Sequence, residues 1–357
     1  MDDCPQYRTR VFLSVDLVGS TAYKAGPGSN VDQSGYPTWV GETRRFYTEF
    51  PSTLRNRYRQ VTLEAKGLSE HMPRLWKTIG DEIVFCCRVQ SRQHLSCVLH
   101  AFTDALDKYG RVLETRCEQL DVKGTAWLAA FPTPNVTVLV DQNENSEYDL
   151  PNEFLEVEAD AEPHRFDFLG KNIDCGFRLS KFSSADRLTL SVELALALCE
   201  PAVAPADPFR GSFHYQGREV LKGVLNGRPY PVVTVYTERR QTRRDVLELE
   251  MGLTTSKIVS SLMLGTFLRQ FMLDEKVEAI HVEGFEGAAP PPAYSEFRLQ
   301  WESNRNEELK REATEEASEK NTDEANGSIP QVVEKVLETI AAPSDENAAR
   351  DQFSGAR

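Results

Sequence analysis

A glycine–aspartate pair between two apolar runs restricts the fold of this chain more than any other feature. Residues 75–79 and 82–87 are rich in apolar and β-branched side chains, and Gly80-Asp81 separates them. This pattern is typical of a β-hairpin with the pair at its tip. Because a hairpin joins antiparallel strands, the pattern rules out a purely parallel sheet.

Helical and strand-like segments alternate along the rest of the chain. Apolar residues at helical spacing predict helices near residues 38–60, 91–109 and 172–182, and short β-branched runs predict strands near residues 11–15, 124–131, 136–140, 166–168, 188–191, 213–222 and 231–237. Hairpins mixed with helices predict an α+β sandwich, in which helices pack on a mixed or antiparallel sheet.

Three further segments define the predicted domain organisation. Residues 141–164 are acidic and are expected to form a surface insertion in a main domain over residues 1–240. An amphipathic helix is predicted at residues 243–273, within a connector that covers residues 241–288. Residues 289–357 begin with a proline-rich break and are then rich in Glu, Lys, Asn and Ala. They are expected to form an acidic, largely mobile tail.

The charge balance excludes two kinds of partner. The chain has 55 acidic and 41 basic side chains, a formal net charge of −14. Residues 301–357 contain 14 acidic and 7 basic residues, so half of the excess lies in the tail. A nonspecific nucleic-acid surface or an anionic membrane surface would require a basic balance instead.

Cysteine, histidine and apolar patterns narrow the class further. The 7 cysteines are scattered without a Cys-x-x-Cys pair, and the 6 histidines form no HExxH motif, which argues against a disulfide framework or a zinc site. The sequence does not start with a signal-peptide pattern, and the apolar run at residues 258–268 is too short to span a bilayer. We therefore expect a cytoplasmic protein with no membrane span.

Two acidic residues near predicted strand ends are the first candidate site residues. Asp16 ends the strand near residues 11–15 and precedes a Gly19-Ser20-Thr21 turn, whose backbone N–H groups could bind phosphate oxygens. Asp81 lies at the hairpin tip, where an aspartate is more often only a turn residue. Taken together, two carboxylates on adjacent strand ends can hold two divalent cations.

A third candidate is an acid–base pair on the predicted helix near residue 172. Asp174 and Arg178 are four residues apart and would share one helix face. A surface ion pair is the simpler interpretation, and it would contribute little to stability. The functional interpretation is an arginine presented to a phosphate group.

Together these three segments resemble the class III nucleotidyl cyclases, the family of adenylate and guanylate cyclase catalytic domains. Asp16, Gly19, Ser20 and Thr21 match the family's strand-ending aspartate motif, and Ile79-Gly80-Asp81 matches its hairpin aspartate. Lys77 stands four residues before that aspartate, at the position of the base-selecting residue. The family's later helix motif aligns with Phe166, Asp167, Gly170, Ile173, Asp174, Gly176 and Arg178. The resemblance covers about residues 9–237.

The resemblance implies a role for each of these residues. Asp16 and Asp81, with the Leu17 carbonyl, would bind two Mg²⁺ or Mn²⁺ ions. Residues Val18, Gly19, Ser20 and Thr21 would contact the triphosphate, and Arg178 would stabilise charge on the α-phosphate. Lys77 and Asp167 would contact the base. The 3′-hydroxyl of the ribose would attack the α-phosphate and expel pyrophosphate, at a site shared by the two chains of a homodimer.

The departures from the family pattern suggest a subgroup. Asp174 stands where the family has an asparagine that orients the ribose or phosphate. The opening SVDLVGST, the longer distance from Asp16 to Asp81 and the variant helix motif resemble the bacterial pyrimidine cyclases of Pycsar antiphage systems. This resemblance implies a product, cyclic UMP or cyclic CMP, that activates a separate effector protein.

The base that the site would accept is left open by the sequence. Tyr47 is a candidate to fill the space of a purine ring, although a helix tyrosine with a packing role is the more common case. We favour UTP as the substrate, with CTP as the next alternative. Lys77 and Asp167 are the residue types typical of an adenylate cyclase, which is a further alternative. Asp174 favours a different one, a catalytically silent domain that binds nucleotide without converting it.

Overall fold

A seven-stranded sheet forms the centre of the protein. The computed structural model describes residues 3–63, 71–140, 151–199, 209, 211–253, 259–282 and 290–327. The strands of the sheet, in the spatial order β2-β3-β1-β4-β7-β9-β8, are β1 (Arg8–Val18), β2 (Arg74–Ile79), β3 (Glu82–Arg88), β4 (Asp121–Phe131), β7 (Arg187–Leu190), β8 (Phe213–Val220) and β9 (Pro229–Tyr236). Two more strands, β5 (Asn135–Leu139) and β6 (Phe166–Gly170), pair with each other.

Helices lie before, between and after these strands. They are α1 (Ser20–Ala25), α2 (Thr38–Thr62), α3 (Arg92–Arg116), α4 (Glu153–Ala161), α5 (Lys171–Leu179), α6 (Val192–Cys199), α7 (Gln241–Leu253), α8 (Ser261–Asp274) and α9 (Pro292–Gly327). Strands β4 and β7 pair in parallel, whereas β1 pairs antiparallel with both β3 and β4. The predicted α+β fold with a mixed sheet is therefore confirmed.

Strand β1 is buried on both faces because alternate residues enter different cores. Val11, Leu13 and Val15 belong to the larger core, together with apolar residues of α2 and α3. Phe12 points into a smaller aromatic core with Trp76, Trp127 and Phe168. Strand β1 is also paired along both edges, with β3 and with β4, so the residues near its end are held in place.

The region predicted as an acidic surface insertion is docked on β1 where it is described. Residues 151–164 include α4, whose Glu156 is 1% exposed. Arg10, which is fully buried, lies 2.7 Å from Glu156 and 2.6 Å from Asp160, and Arg8 pairs with Glu153. The arginines of β1 thus neutralise acidic residues of this part of the predicted surface insertion, while Phe154 and Val157 stay exposed. Residues 141–150 lie outside the described ranges.

The C-terminal region also differs from the prediction. Instead of one helix over residues 243–273 there are two, and the side chain of Ser260 caps the second by accepting from the Met263 N–H. Leu264, Leu268 and Phe271 of α8 are buried in the larger core. The first compact unit accordingly extends to Leu299, beyond the predicted boundary at residue 240.

The predicted tail contains a helix. Residues 292–327 form α9, because the Glu-, Lys- and Ala-rich composition that suggested mobility also has high helix propensity. The second compact unit covers residues 300–357, of which residues 328–357 lie outside the described part. In the described ranges no helix is long and apolar enough to cross a membrane, and the seven cysteines are buried.

Candidate active site

Asp16 lies close to the end of β1 between two charged neighbours. In the sheet it is opposite Glu82 of β3 on one side and opposite Lys123 of β4 on the other. The ammonium group of Lys123 is 3.1 Å from Oδ2 of Asp16. The carboxylate is half-buried, and a cation already lies beside it.

Asp81 lies in the β2–β3 turn, directly beside the end of β1. The Leu17 N–H donates to the Asp81 carbonyl at 3.2 Å, so the turn and the strand end are joined by a backbone hydrogen bond. The Ser20 hydroxyl donates to Oδ2 of Asp81, and the ammonium group of Lys24 is 3.5 Å from the same oxygen. The structure therefore brings the segments of Asp16 and Asp81 together, as the two motifs predict.

The turn after β1 depends on a glycine. Gly19 has φ +82°, a left-handed conformation, and a side chain there would overlap the carbonyl of Gln119. This turn starts α1 at Ser20, whose side chain is buried and faces Asp81. Val18 is half-buried and Thr21 is exposed at the same turn.

Glu82 is a site residue that the sequence analysis missed. Its carboxylate accepts a hydrogen bond from the Ser14 hydroxyl on the neighbouring strand. Burial raises the pKa of Glu82, the Ser14 hydrogen bond opposes the rise, and the nearby Asp16 carboxylate adds to it. Glu82 follows Asp81 directly and begins β3, but its position opposite Asp16 depends on the long-range β1–β3 pairing.

Lys24 and Lys123 were also missed. Lys24 is four residues after Ser20 on α1, so their shared helix face was a usable signal. Lys123 could be linked to Asp16 only through the β1–β4 register. The two lysines give this end of the sheet a positive side chain beside each predicted metal-binding carboxylate.

Tyr47 belongs to the same end of the site. It lies on α2, and its hydroxyl donates to the Gly80 carbonyl in the β2–β3 turn. Burial and, to a smaller extent, the charge of Asp81 raise the pKa of Tyr47. Its ring therefore lies against the turn that carries Asp81.

Lys77 and Asp167, the predicted base-contacting residues, form an ion pair. The Lys77 ammonium on β2 is 2.6 Å from Oδ1 of Asp167 on β6, and it lies 4.0 Å from the centre of the Trp76 ring. The Trp76 indole N–H donates to the Phe166 carbonyl at 3.0 Å, which fastens β2 to the start of β6. About a third of each charged side chain is exposed, at 33% and 36%, so the pair is accessible to a ligand.

Helix α5 presents Asp174 and Arg178 on its exposed side. The Arg178 guanidinium donates to the Asp174 carbonyl at 2.9 Å and lies 3.8 Å from its carboxylate. On the buried side, Gly176 lies so close to the Trp127 ring that a methyl group would overlap the indole. The glycine of the helix motif therefore allows α5 to lie directly on β4.

The predicted residues fall into two sets within one chain. Asp16 and Asp81 are joined through the strand end, and Lys77 pairs with Asp167. Among the described side chains, no hydrogen bond or ion pair joins Arg178 to either Asp16 or Asp81. One chain thus presents two separate sets of site residues. The first contains Asp16 and Asp81, and the second contains Lys77, Asp167 and Arg178.

The donor set at the strand end fits hard divalent cations. Asp16 and Asp81 offer carboxylate oxygens, the ligands that Mg²⁺ and Mn²⁺ prefer. In the described ranges, no group of three or more His, Cys, Asp or Glu side chains could hold a metal. Two carboxylates and a backbone carbonyl are nevertheless a sufficient protein contribution where substrate phosphates and waters complete the coordination.

Comparisons with known proteins identify structural neighbours. No protein-family model matches the sequence, and no curated protein matches it. Among solved structures, the adenylyl cyclase CyaB from P. aeruginosa matches with a TM-score of 0.42 and 12% identity over 66% of this chain and 97% of that chain. The guanylate cyclase domain of RhGC from Catenaria anguillulae, in complex with GTP, matches with a TM-score of 0.41 and 9% identity over 66% of this chain and 100% of that chain.

A third match is an adenylate cyclase from Trypanosoma brucei, with a TM-score of 0.35 and 13% identity over 66% of this chain and 93% of that chain. These neighbours are adenylyl and guanylyl cyclases. Theirs is the family that the three sequence motifs resemble.

Proposed function

We propose that the protein is a nucleotide cyclase that converts a ribonucleoside triphosphate into a 3′,5′-cyclic nucleotide and pyrophosphate. The 3′-hydroxyl gives its proton to water, the bond between the 3′-oxygen and the α-phosphorus forms, and the bond from that phosphorus to the leaving pyrophosphate oxygen breaks. The observation that carries the proposal is the pair Asp16 and Asp81 on adjoining strand ends, each with an ammonium group beside it. This arrangement gives a compact site in which positive charge and carboxylates can bind a triphosphate with its cations.

Asp16, Asp81 and the Leu17 carbonyl would hold two Mg²⁺ or Mn²⁺ ions. When bound, such ions neutralise phosphate charge and lower the pKa of a coordinated hydroxyl. The Ser20 hydroxyl holds the Asp81 carboxylate in one orientation, and the β1–β4 register holds Asp16. The protein therefore fixes both carboxylates before substrate arrives, which reduces the reorganisation that binding requires.

The triphosphate would be held by the turn after β1 and by basic side chains. Residues 18–21 would supply backbone N–H groups to phosphate oxygens, since Gly19 keeps the turn tight against Gln119. Lys24 and Lys123 would remain close to the phosphates once cations neutralise their aspartates. Arg178 would leave its intrahelical contact with Asp174 and donate to the α-phosphate, where charge develops.

The Lys77–Asp167 pair supplies a hydrogen-bond donor beside an acceptor. This complements a uracil edge, in which a carbonyl oxygen lies beside the N3–H group. We favour UTP as substrate and cyclic UMP as product. The pair also complements N3 and the amino group of cytosine, so CTP is the next candidate, before ATP. Tyr47 would limit the depth of the site at the β2–β3 turn, which favours the smaller pyrimidine ring.

The two unlinked sets of site residues favour a twofold homodimer. In such a dimer, Asp16 and Asp81 of one chain would meet Lys77, Asp167 and Arg178 of the other, giving two equivalent sites. The product would act as a second messenger on a separate effector protein in antiphage defence, in the cytoplasm. A domain that binds nucleotide without turnover is the second candidate, favoured by Asp174, because a carboxylate cannot donate a hydrogen bond to the ribose.

The test is a substrate panel. The purified protein is incubated with Mn²⁺ and with each of ATP, GTP, CTP and UTP singly, and the products are identified by mass. Cyclic UMP from UTP is the expected product, with pyrophosphate in equal amount. Cyclic CMP or cyclic AMP alone would replace the uridylate assignment, and no cyclic product from any of the four would refute the cyclase proposal.

A further inference from the structure

A cavity of about 150 Å³ lies beside a different face of α5 from the one that carries Asp174 and Arg178. Asn172 and Cys175 of α5, Glu193 of α6 and Tyr230 of β9 line its inner part. Its outer part is lined by the β8–β9 turn at residues 223–225 and by the chain after α8 at residues 275–280. None of these residues belongs to the candidate active site.

A buried carboxyl group is the main polar feature of the cavity. Glu193 is 8% exposed, and its Oε1 accepts from the Asn172 side-chain amide at 3.2 Å. Asn172 is itself held, because its Oδ1 accepts from the Asn135 amide at 2.8 Å. The Tyr230 hydroxyl is also engaged, accepting from the Val192 N–H at 2.7 Å. A hydrogen-bonded frame of this kind fixes the direction in which the Glu193 carboxyl meets the cavity.

The remaining walls are largely apolar. Pro134, Val224, Leu225, Val277 and Ile280 contribute hydrocarbon surface around the carboxyl group. A cavity of this volume accommodates a benzene-sized group. Concave apolar pockets with a few fixed polar groups are the usual form of small-molecule sites.

Charge decides which head group the cavity accepts. Glu193 is the acceptor on the inner wall of the cavity. Lys171 and Lys276 of the lining are at exposed positions, and the charge of Lys171 reaches Glu193, where it opposes the rise in pKa that burial causes. Glu275 on the outer wall is already paired with Arg228 at 2.7 Å. A donor with positive charge is therefore the complement of the inner wall.

We propose that this cavity binds a small organic amine, with its ammonium group on Glu193 and its apolar body against the turn at residues 223–225 and the chain at residues 275–280. Burial raises the pKa of Glu193 in the absence of such a ligand, and an ammonium partner would favour the ionised carboxylate. The amine is recognised by its chemistry, a single cationic group on an aromatic or aliphatic body of benzene size.

The cavity is placed to influence Arg178. Gly223 lines it, and a methyl group on Gly223 would lie 3.8 Å from the Arg178 guanidinium. Helix α5 carries both Asn172, on the cavity side, and Arg178, on the exposed side. An amine in the cavity would fix both the helix and the turn that flank Arg178. This regulatory part of the proposal rests on the proposed cyclase function, whereas the binding part does not.

Binding is tested without turnover, by calorimetric titration with benzylamine, benzyl alcohol and benzoate. Benzylamine is expected to bind at least about tenfold more tightly than benzyl alcohol. The Glu193→Gln variant keeps an acceptor for Asn172 and removes the charge, so it should abolish that difference. Equal binding of amine and alcohol by the wild-type protein, preferred binding of benzoate, or no binding of any of the three would overturn the proposal.

Two further arms keep the test decisive. If Glu193→Gln does not fold, the Ile280→Trp variant replaces it, because a larger side chain on the outer wall should block benzylamine while leaving α5 unchanged. Saturating benzylamine is then added to the cyclase assay, where a change in kcat of at least about threefold is expected. Binding without any change in turnover would overturn the regulatory part, and an inactive protein that still binds benzylamine would separate failure of the proposed function from failure of the binding site.

Discussion

The ammonium group of Lys123 lies 3.1 Å from the carboxylate of Asp16, on the strand next to it in the sheet. This contact follows from the β1–β4 register, which sets the two residues directly opposite each other. The proposed metal-binding carboxylate of Asp16 is thus already balanced by a positive side chain of the protein. The same holds for Asp81, which Lys24 approaches to 3.5 Å.

Removing one of these ammonium groups should strengthen cation binding. We expect Lys24→Ala to bind Mn²⁺ about threefold to fivefold more tightly without nucleotide, since a partly exposed ion pair contributes up to about 1 kcal/mol. Electron paramagnetic resonance of free Mn²⁺ measures this directly. Lys108→Ala, a substitution at an exposed position on α3, serves as the control. An unchanged Mn²⁺ affinity in Lys24→Ala would show that the Lys24 ammonium group and Mn²⁺ do not compete for Asp81.

Loss of the Asp81 charge should abolish turnover without unfolding the protein. In Asp81→Asn the amide oxygen still accepts from Ser20, so the turn should persist, but a ligand charge is lost. We expect kcat to fall at least about 100-fold. The matched control is Asp107→Asn on α3, which should retain full activity, and circular dichroism should show the same helix content for all three proteins. Substantial activity in Asp81→Asn would contradict the metal assignment.

Mixing two inactive variants tests whether the site is shared between chains. Asp81→Asn lacks the carboxylate set and Arg178→Ala lacks the arginine, so a mixed dimer would contain one complete site. A mixture in equal amounts, after exchange of chains, should recover about a quarter of the wild-type activity. Recovery that never exceeds the sum of the separate variants would indicate that each site is formed within one chain.

The Lys77–Asp167 pair should control base selection. Lys77→Met removes the donor and leaves Asp167 without its ammonium partner, so we expect kcat/KM for the preferred triphosphate to fall at least about tenfold, with discrimination between UTP and CTP reduced. Competition assays with both nucleotides give the ratio. Lys181→Met, a change to an exposed lysine, is the control; an unchanged base preference in Lys77→Met would remove the pair from the specificity determinants.

Stability should decrease in mild acid because a buried histidine is held neutral. Burial lowers the pKa of His94 from 6.5 to about 4, and its ring is fully buried between the Gln90 N–H and the His71 carbonyl. The unfolded chain binds the proton first as pH falls, so the contribution is present above pH 6.5 and is lost towards pH 4. At pH 5 the loss of unfolding free energy should reach about 2 kcal/mol.

Urea denaturation at pH 7.5 and pH 5 measures this loss for the wild type and for His94→Gln. The variant should be less stable at pH 7.5 but show a smaller further loss in acid. His164→Gln, a change at an exposed position, should follow the wild-type profile. Identical pH profiles for the wild type and His94→Gln would assign the acid sensitivity to other groups.

Packing of α5 on the sheet should be sensitive to one methyl group. Gly176→Ala would place a side chain into the Trp127 ring, and overpacking of this kind typically costs about 1–3 kcal/mol. Denaturation midpoints measure the loss of stability. Ala279→Gly, at an exposed position, is the control for backbone entropy alone. A Gly176→Ala protein of wild-type stability would mean that α5 can move away from β4 without cost.

Local patterns were sufficient to predict the hairpin and the strand that carries Asp16, although β1 continues to Val18. Both depend on residues that are close in sequence, so period and turn chemistry carry the information. The β1–β4 register is set by long-range pairing, which no local pattern encodes, and for that reason Lys123 was missed. Glu82 was overlooked because its neighbour Asp81 explained the motif by itself.

Composition was a poor guide where charges are neutralised within the fold. The acidic composition of residues 141–164 predicted a surface insertion, yet Arg8 and Arg10 of β1 lie beside the acidic residues of α4. In the same way, the Glu- and Lys-rich composition of residues 289–357 predicted a mobile tail, whereas residues 292–327 form a helix. Both differences arise because charge alone does not tell which structure or partner a segment has.

Because Gly176 packs directly against the ring of Trp127, the fluorescence of this tryptophan should report the position of α5. The indole is fully buried and also meets Phe177, so its emission should be blue-shifted while α5 rests on the sheet. Any displacement of α5 would expose the ring to water and shift that emission to longer wavelength. In a variant with the other tryptophans replaced by phenylalanine, fluorescence would follow the movement of the helix that carries Arg178 in real time.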